Sequence, residues 1–125
     1  LNSIGTQTPD GQAVGFETEA YAILDTLGYI RPEVYTLVIG QAFGNAAMIA
    51  ASGKKGCRFS LEHARIMTAP PRMNRTFGAT SNIMIKANEL EYNTQMYVDF
   101  LARFTGRPKE QVLLPFFCCF SFHAV

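Results

Sequence analysis

The twenty residues VYTLVIGQAFGNAAMIAASG, from Val34 to Gly53, constrain the fold more than any other stretch. Val34 to Ile39 is a continuous β-branched and apolar run, the pattern of a strand buried on both faces of a parallel sheet, and it stops at Gly40. From Asn45 to Ala51 the residues are small or good helix formers, and Gly53 is placed to end a short helix. Strand, sharp turn and buried helix follow in that order. In hydrolases such a turn presents a nucleophile, while the helix N-terminus aims N–H groups at developing negative charge. Here the tip is Phe43-Gly44-Asn45, with no Ser, Cys or Thr. The scaffold for a nucleophile is predicted, and the nucleophile is absent.

Length and composition narrow the class. At 125 residues the chain is one domain or part of one, and 48% apolar with 17% charged residues is globular rather than disordered. A net charge of +1, with no basic run beyond Lys54-Lys55, gives no electrostatic case for nucleic acid or an acidic membrane. Cys57, Cys118 and Cys119 make no disulfide framework, there is no Cys/His spacing for a metal, and no apolar segment is long enough to span a bilayer. The first residue is Leu1, with no initiator Met, charged n-region or targeting peptide, which suggests that the sequence begins in the middle of a longer one.

In chain order, Leu1 to Gly5 reads as the end of a strand, and Thr6 to Gly15 as a surface loop turning at Pro9-Asp10-Gly11. Phe16, Ala20, Ile23, Leu24 and Leu27 keep a 3.6-residue period, with Glu17 and Glu19 in the first turn, so an amphipathic helix is expected, closed by Gly28 and Pro32. Further strands are expected at Cys57 to Ser60 and Ala64 to Thr68, the latter followed by Pro70-Pro71. This alternation predicts an α/β fold with a largely parallel sheet. Arg72 to Thr80 is irregular or an edge strand. Thr80 or Ser81 can cap a long helix to about Phe104, on which Ile83, Ala87, Leu90, Tyr97, Leu101 and Phe104 are spaced by threes and fours apart from a gap at Thr94. Thr105-Gly106 is the stop. Such a helix is roughly 35 Å long, more than a core of this size needs, so it is expected to project and pack on another subunit.

Val112 to Val125 carries no charge and holds four phenylalanines between Phe116 and Phe122. It is too short for a transmembrane helix. Its composition departs from the rest of the chain.

Several motifs in one order closely resemble the ClpP peptidase family, the proteolytic subunits of the ATP-dependent Clp protease. They are Tyr29-Ile-Arg-Pro-Glu-Val34, Ile39-Gly-Gln-Ala42, Gly53-x-Lys55-Gly-x-Arg58-Phe59, Ala64-Arg-x-Met67 with Pro71, and Gly78-Ala-Thr80. The resemblance covers about Leu1 to Gln111. It implies a ClpP/crotonase-like α/β spiral of βαβ units with a projecting handle helix, seven subunits to a ring, and two rings stacked through that helix. On this basis 1–111 is a partial domain lacking its N-terminal strands, and 112–125 a divergent tail, either native and covering a hydrophobic neighbour or, the preferred reading, aberrant sequence in place of the family's last elements.

Carried over residue by residue, the family's nucleophilic Ser falls on Gly44 and its general-base His on Ala69. Its Gly-Gly oxyanion loop falls on Gly5-Thr6, preceded by Ile4 instead of Pro, and its triad Asp falls near Cys118 or Cys119. An insertion of about nine residues lies within Thr6 to Thr18. This pattern resembles the non-catalytic ClpR subunits of plastids and cyanobacteria. It implies a structural subunit of a plastid stromal Clp core, or alternatively of a cyanobacterial cytoplasmic one. Catalytic ClpP and other ClpR-type subunits would be its partners in a double heptameric ring. A separate Hsp100-type chaperone would consume the ATP, and no cofactor or metal would belong to this subunit. Loss of a triad Ser or His removes on the order of a million-fold in rate, roughly 8 kcal/mol of transition-state stabilisation.

Two other functions compete with this one. An active Clp serine endopeptidase would need a replacement nucleophile among Ser3, Ser52, Ser60 and Ser81, all of which read as structural serines, and a base such as His63, which reads as a solvated turn residue. A crotonase-type enzyme acting on acyl-CoA would use the same kind of backbone oxyanion hole. Gln41-Ala42, the Lys55 to Phe59 pattern and the long helix stand against it. Cys57 reads as an apolar filler, His123 carries no functional weight, and Arg72 and Arg75 are either surface charges or inter-ring contacts.

Overall fold

A computed structural model describes residues 1–4, 17–72 and 77–113. Along them run α1 (Glu17–Tyr29), β1 (Thr36–Val38), β2 (Gln41–Phe43), α2 (Asn45–Ala51), β3 (Arg58–Ser60), β4 (Arg65–Met67), α3 (Thr80–Thr105) and α4 (Lys109–Leu113). Gly5, Thr6, most of the expected insertion, Phe16, Arg75 and the tail from residue 114, with Cys118, Cys119 and His123, lie outside the described residues.

Both strand pairs are parallel, as the alternation predicts. β1 runs beside β3 with Leu37 opposite Phe59, and β2 beside β4 with Ala42 opposite Ile66 and Phe43 opposite Met67. Each connection contains α2, which meets the need of parallel pairing for a crossover longer than a hairpin. The expected single strand does not simply stop at Gly40. The chain turns there with φ 83 and re-enters extended backbone as β2, against a different partner. Leu1 to Ser3 supports both segments: the Ile39 amide donates to Leu1 at 2.8 Å, the Ser3 amide to Gln41 at 2.7 Å and the Phe43 amide to Ser3 at 3.1 Å.

The helix α2 belongs to two apolar clusters. Ala46 and Ala50, one turn apart, meet Val38 and Ala42 on the strands. Met48 points the other way, into Ala20 and Leu24 of α1 and Tyr97 and Leu101 of α3. Alanine on the strand side lets backbones approach closely. At its end the expected role of Gly53 needs correction: the cap is Ser52 in right-handed helical conformation, and Gly53 is required for space. A Cβ there would lie 2.6 Å from Thr36 Oγ1, whose hydroxyl is buried and donates to the Ala50 carbonyl at 2.8 Å.

Three further expectations are corrected. The β1 strand is covered on one face only: Thr36 and Val38 are buried, while Tyr35, Leu37 and Ile39, with Phe59 and Leu61 beside them, are exposed because no described element lies over them. The helix α1 continues through Gly28 to Tyr29, and Ile23 on it is exposed. The helix α3 starts after Ala79 in extended conformation with no side-chain cap, so neither Thr80 nor Ser81 caps it.

At 26 residues α3 is about 39 Å long. Only Tyr97, Val98 and Leu101 are buried, all in its second half, and every residue from Thr80 to Glu89 is exposed, including Ile83 and Ala87 from the predicted apolar stripe. Gly106, left-handed at φ 71, stops it as expected, and Val112 of α4 packs back on the Met48 cluster. No helix among the described residues is long and apolar enough to cross a membrane.

Candidate functional site

The turn at Gly44 stands where β2 ends and α2 begins. Its backbone has φ 56 and ψ −120, a conformation that residues with a side chain hold only under strain. Nucleophile elbows on strand-to-helix turns are sharp and strained in the same sense. Around Gly44 there is room for a side chain, since a Cβ would meet nothing within 4 Å. The backbone of an elbow is therefore present, with open space where its nucleophile would project.

Sheet register brings Ala69 beside Gly44, the two positions on which the resemblance would put a base and a nucleophile. Phe43 pairs with Met67, and the Gly44 amide donates to the Met67 carbonyl at 2.8 Å. Ala69 follows two residues on, so positions 44 and 69 share the C-terminal ends of neighbouring parallel strands, where open α/β sheets place their sites. Ala69 is half-buried and offers a methyl group. A methyl group cannot accept a proton. Gly5 and Thr6 lie outside the described residues, and Ile4 is exposed.

Beneath these two positions lies Tyr97, which is fully buried. Its hydroxyl donates to the Gly44 carbonyl at 3.2 Å, and the phenol oxygen is hydrogen-bonded to the Ala69 backbone. By itself this bond would favour the ionised phenol. Burial dominates all the same, and pushes the phenol far above its ordinary pKa. The Gly44 carbonyl also accepts from the amides of Ala47 at 3.0 Å and Met48 at 3.3 Å. Sequence reasoning counted Tyr97 as one more apolar helical position. The signal available was its hydroxyl, which a buried tyrosine must bond to something.

The other candidates do not converge here. His63 is exposed in the turn before β4, whereas Ala69 follows β4, so the two lie at opposite ends of that strand. Ser52 and Ser60 donate to the backbone carbonyls of Ile49 at 2.7 Å and Leu61 at 3.3 Å. Ser3 lies in the bridge to Ala42, and Ser81 is exposed on the first turn of α3. Cys57 is half-buried beside Tyr35, whose pKa is raised by their hydrogen bond, and Arg72 is exposed. Among the described residues no three His, Cys, Asp or Glu side chains gather to hold a metal.

Sequence reasoning named Arg58 only as part of the Gly53 to Phe59 motif and gave it no role; it is half-buried. Its Nε donates to the Gly53 carbonyl at 2.6 Å and its Nη1 to the Phe104 carbonyl at 2.7 Å, tying the C-terminal ends of α2 and α3 together.

Comparison with known proteins places these observations. A family model described as Clp protease matches residues 13–114. The ATP-dependent Clp protease proteolytic subunit-related protein 1, chloroplastic, of Arabidopsis thaliana is 47% identical over 112 residues, which are 90% of this chain and 29% of that protein. A Synechocystis protein named as ATP-dependent Clp protease proteolytic subunit-like is 49% identical over 114 residues, 90% of this chain and 49% of its own length. The chloroplastic related protein 3 of Arabidopsis thaliana is 37% identical over 113 residues, again 90% of this chain and 34% of that protein. The chain thus spans half or less of the length of each of these relatives.

Proposed function

This chain belongs to the Clp protease family, and on that premise we propose that it is part of a non-catalytic, structural subunit of a plastid ATP-dependent Clp protease core. The observation that carries the proposal is the Gly44 turn. Its elbow backbone is kept at φ 56 and ψ −120, while the side chains needed at 44 and 69 are a hydrogen atom and a methyl group. Without nucleophile or base, what remains is backbone donors and shape, which leave a small residue of triad catalysis.

Assembly is the work left to such a subunit. The exposed first half of α3 supports its use as a handle between rings, because Ile83, Met84 and Ile85 stand in solvent on a helix that needs none of them for its own core. The parallel pairs crossing through α2 support the spiral of βαβ units. Catalytic ClpP and other ClpR-type subunits in a double heptameric ring are the partners proposed, with an Hsp100-type ATPase supplying unfolded substrate. The chloroplastic names of two of the relatives support the plastid stroma as its place. The proposed division puts residues 1–111 in the partial ClpP-like domain and 112–125 in the divergent tail, although the family match runs on to residue 114 and Val112 still packs on the Met48 cluster.

Co-expression with catalytic ClpP subunits tests the assembly reading. The chain is expected to co-purify in a ring-sized particle whose peptidase activity vanishes when the catalytic subunits' serines are removed. A particle that forms equally well without this chain and never includes it would defeat the proposal.

A further inference from the structure

An emptied catalytic turn has no side-chain pair left to hold its halves together, yet the Gly44 elbow and the Ala69 strand end keep their register. Backbone pairing accounts for part of this, through the Gly44 amide and the Met67 carbonyl at 2.8 Å. A further polar link among the described residues is Tyr97. We propose that Tyr97 is a positioning residue whose phenol acts as a strut between the two former triad positions, accepting from the Ala69 amide and donating to the Gly44 carbonyl, so that the elbow persists without its catalytic side chains.

Three observations carry this. First, the ring is rigidly held: Tyr97 is fully buried in a cluster with Ala20, Leu24, Met48 and Leu101, so the hydroxyl is delivered from one fixed direction. Second, the hydroxyl is amphoteric, and a phenol can donate and accept at once, which phenylalanine, leucine or methionine at this position could not do. Third, the conformation to be held is an expensive one for most residues and a loose one for glycine, which visits many alternatives. An elbow with Ser at position 44 resists relaxation differently from one with Gly. A glycine elbow needs an outside contact to stay in one conformation, and beyond the first-turn amides of Ala47 and Met48 the Gly44 carbonyl receives the Tyr97 hydroxyl.

The inference rests on the reading of this turn as an emptied catalytic site. Its test is separate: amide hydrogen exchange by NMR on the full 125-residue chain, comparing Tyr97→Phe with Val98→Ala. Val98 is buried next to Tyr97 and contributes only packing, so its truncation loosens the helix without touching the strut. In Tyr97→Phe the amides of Ala69 and Gly44 should exchange about tenfold faster relative to those of α1 and β3, the size expected for one lost hydrogen bond. Val98→Ala should shift all of these amides together. The proposal is overturned by a Tyr97→Phe variant in which residues 44 and 69 change no more than the rest, including one that loses protection everywhere at once. A reactive serine found on this chain would instead overturn the emptied-site reading and leave the exchange result standing.

Discussion

The Tyr97 hydroxyl donates to the carbonyl of Gly44 across 53 residues of chain, at 3.2 Å. One residue of the long helix α3 thereby reaches the turn proposed above as an emptied nucleophile elbow. The turn is thus built from three parts of the chain: β2 and α2 that form it, β4 that pairs alongside, and α3 beneath. Each part contributes backbone or packing, and none contributes a group able to attack a carbonyl.

The phenol makes stability depend on alkaline pH in a defined direction. In the unfolded chain Tyr97 ionises near its ordinary pKa of 10.0, while burial keeps it protonated far beyond that in the fold. Above pH 10 the unfolded state binds fewer protons than the native one, so unfolding free energy is at full value below pH 10 and falls above it, by up to about 1.4 kcal/mol per pH unit for one group. Urea titrations from about pH 9 to about pH 11 should register this slope. Tyr97→Phe should flatten it. An unchanged slope in that variant would mean that another group governs the alkaline limb.

Gly53 and Thr36 should be strongly non-additive. Gly53→Ala puts a methyl group 2.6 Å from Thr36 Oγ1 and 2.9 Å from its Cγ2, which should destabilise the chain by about 1–3 kcal/mol through overpacking. In a Thr36→Ala background both atoms are gone and most of that cost should disappear. Chemical denaturation of the four proteins checks it, and purely additive effects would contradict the close contact.

Gly44→Ala should cost about 1–3 kcal/mol for a different reason, backbone strain at φ 56, because its new methyl group meets no atom. Denaturation midpoints should therefore fall whatever the background at position 36. Rescue of Gly44→Ala by Thr36→Ala would show that the two glycines are not independent.

Arg58→Lys keeps the charge and loses the fork that joins the Gly53 and Phe104 carbonyls. A loss of about 1–3 kcal/mol is expected in thermal or urea unfolding. Stability equal to the parent would mean that a single ammonium can satisfy both helix ends.

Ile85→Glu on the exposed half of α3 should leave the isolated chain within about 0.5 kcal/mol of the parent, since the side chain is 64% exposed. Under the handle proposal the same change should abolish ring-to-ring stacking in co-assembly, visible as a halved particle mass in sedimentation. Stacking that survives it would remove α3 from that role.

Much of this fold could be read from the residues, and the failures have physical causes. The bounds Asn45 and Ala51 of α2 were predicted as observed, because small residues between two glycines leave few alternatives. The parallel pairing followed from alternation. The strand β2 was missed because Gly40 is a turn and not an end, and no period-2 signal fits in three residues. Burial of β1 on both faces was overestimated, since an apolar run shows what a strand can bury and not which neighbour supplies the cover. Gly53 was read for its backbone freedom when the constraint was a neighbour, Thr36, that only the fold brings near. At the site, positions 44 and 69 were named from the resemblance alone, and their adjacency in space required the register of Phe43 with Met67. The strut was not legible, because Tyr97 fits an apolar helical stripe equally well as a hydrophobic residue.

The central claim, that this chain contributes shape and no nucleophile, is tested most directly by labelling an assembled core with a fluorophosphonate probe and locating the adduct by mass spectrometry. The account predicts the adduct on the catalytic ClpP subunits and none on any residue of this chain. A stoichiometric adduct on one of its own serines, lost when that serine is replaced by alanine, would contradict it.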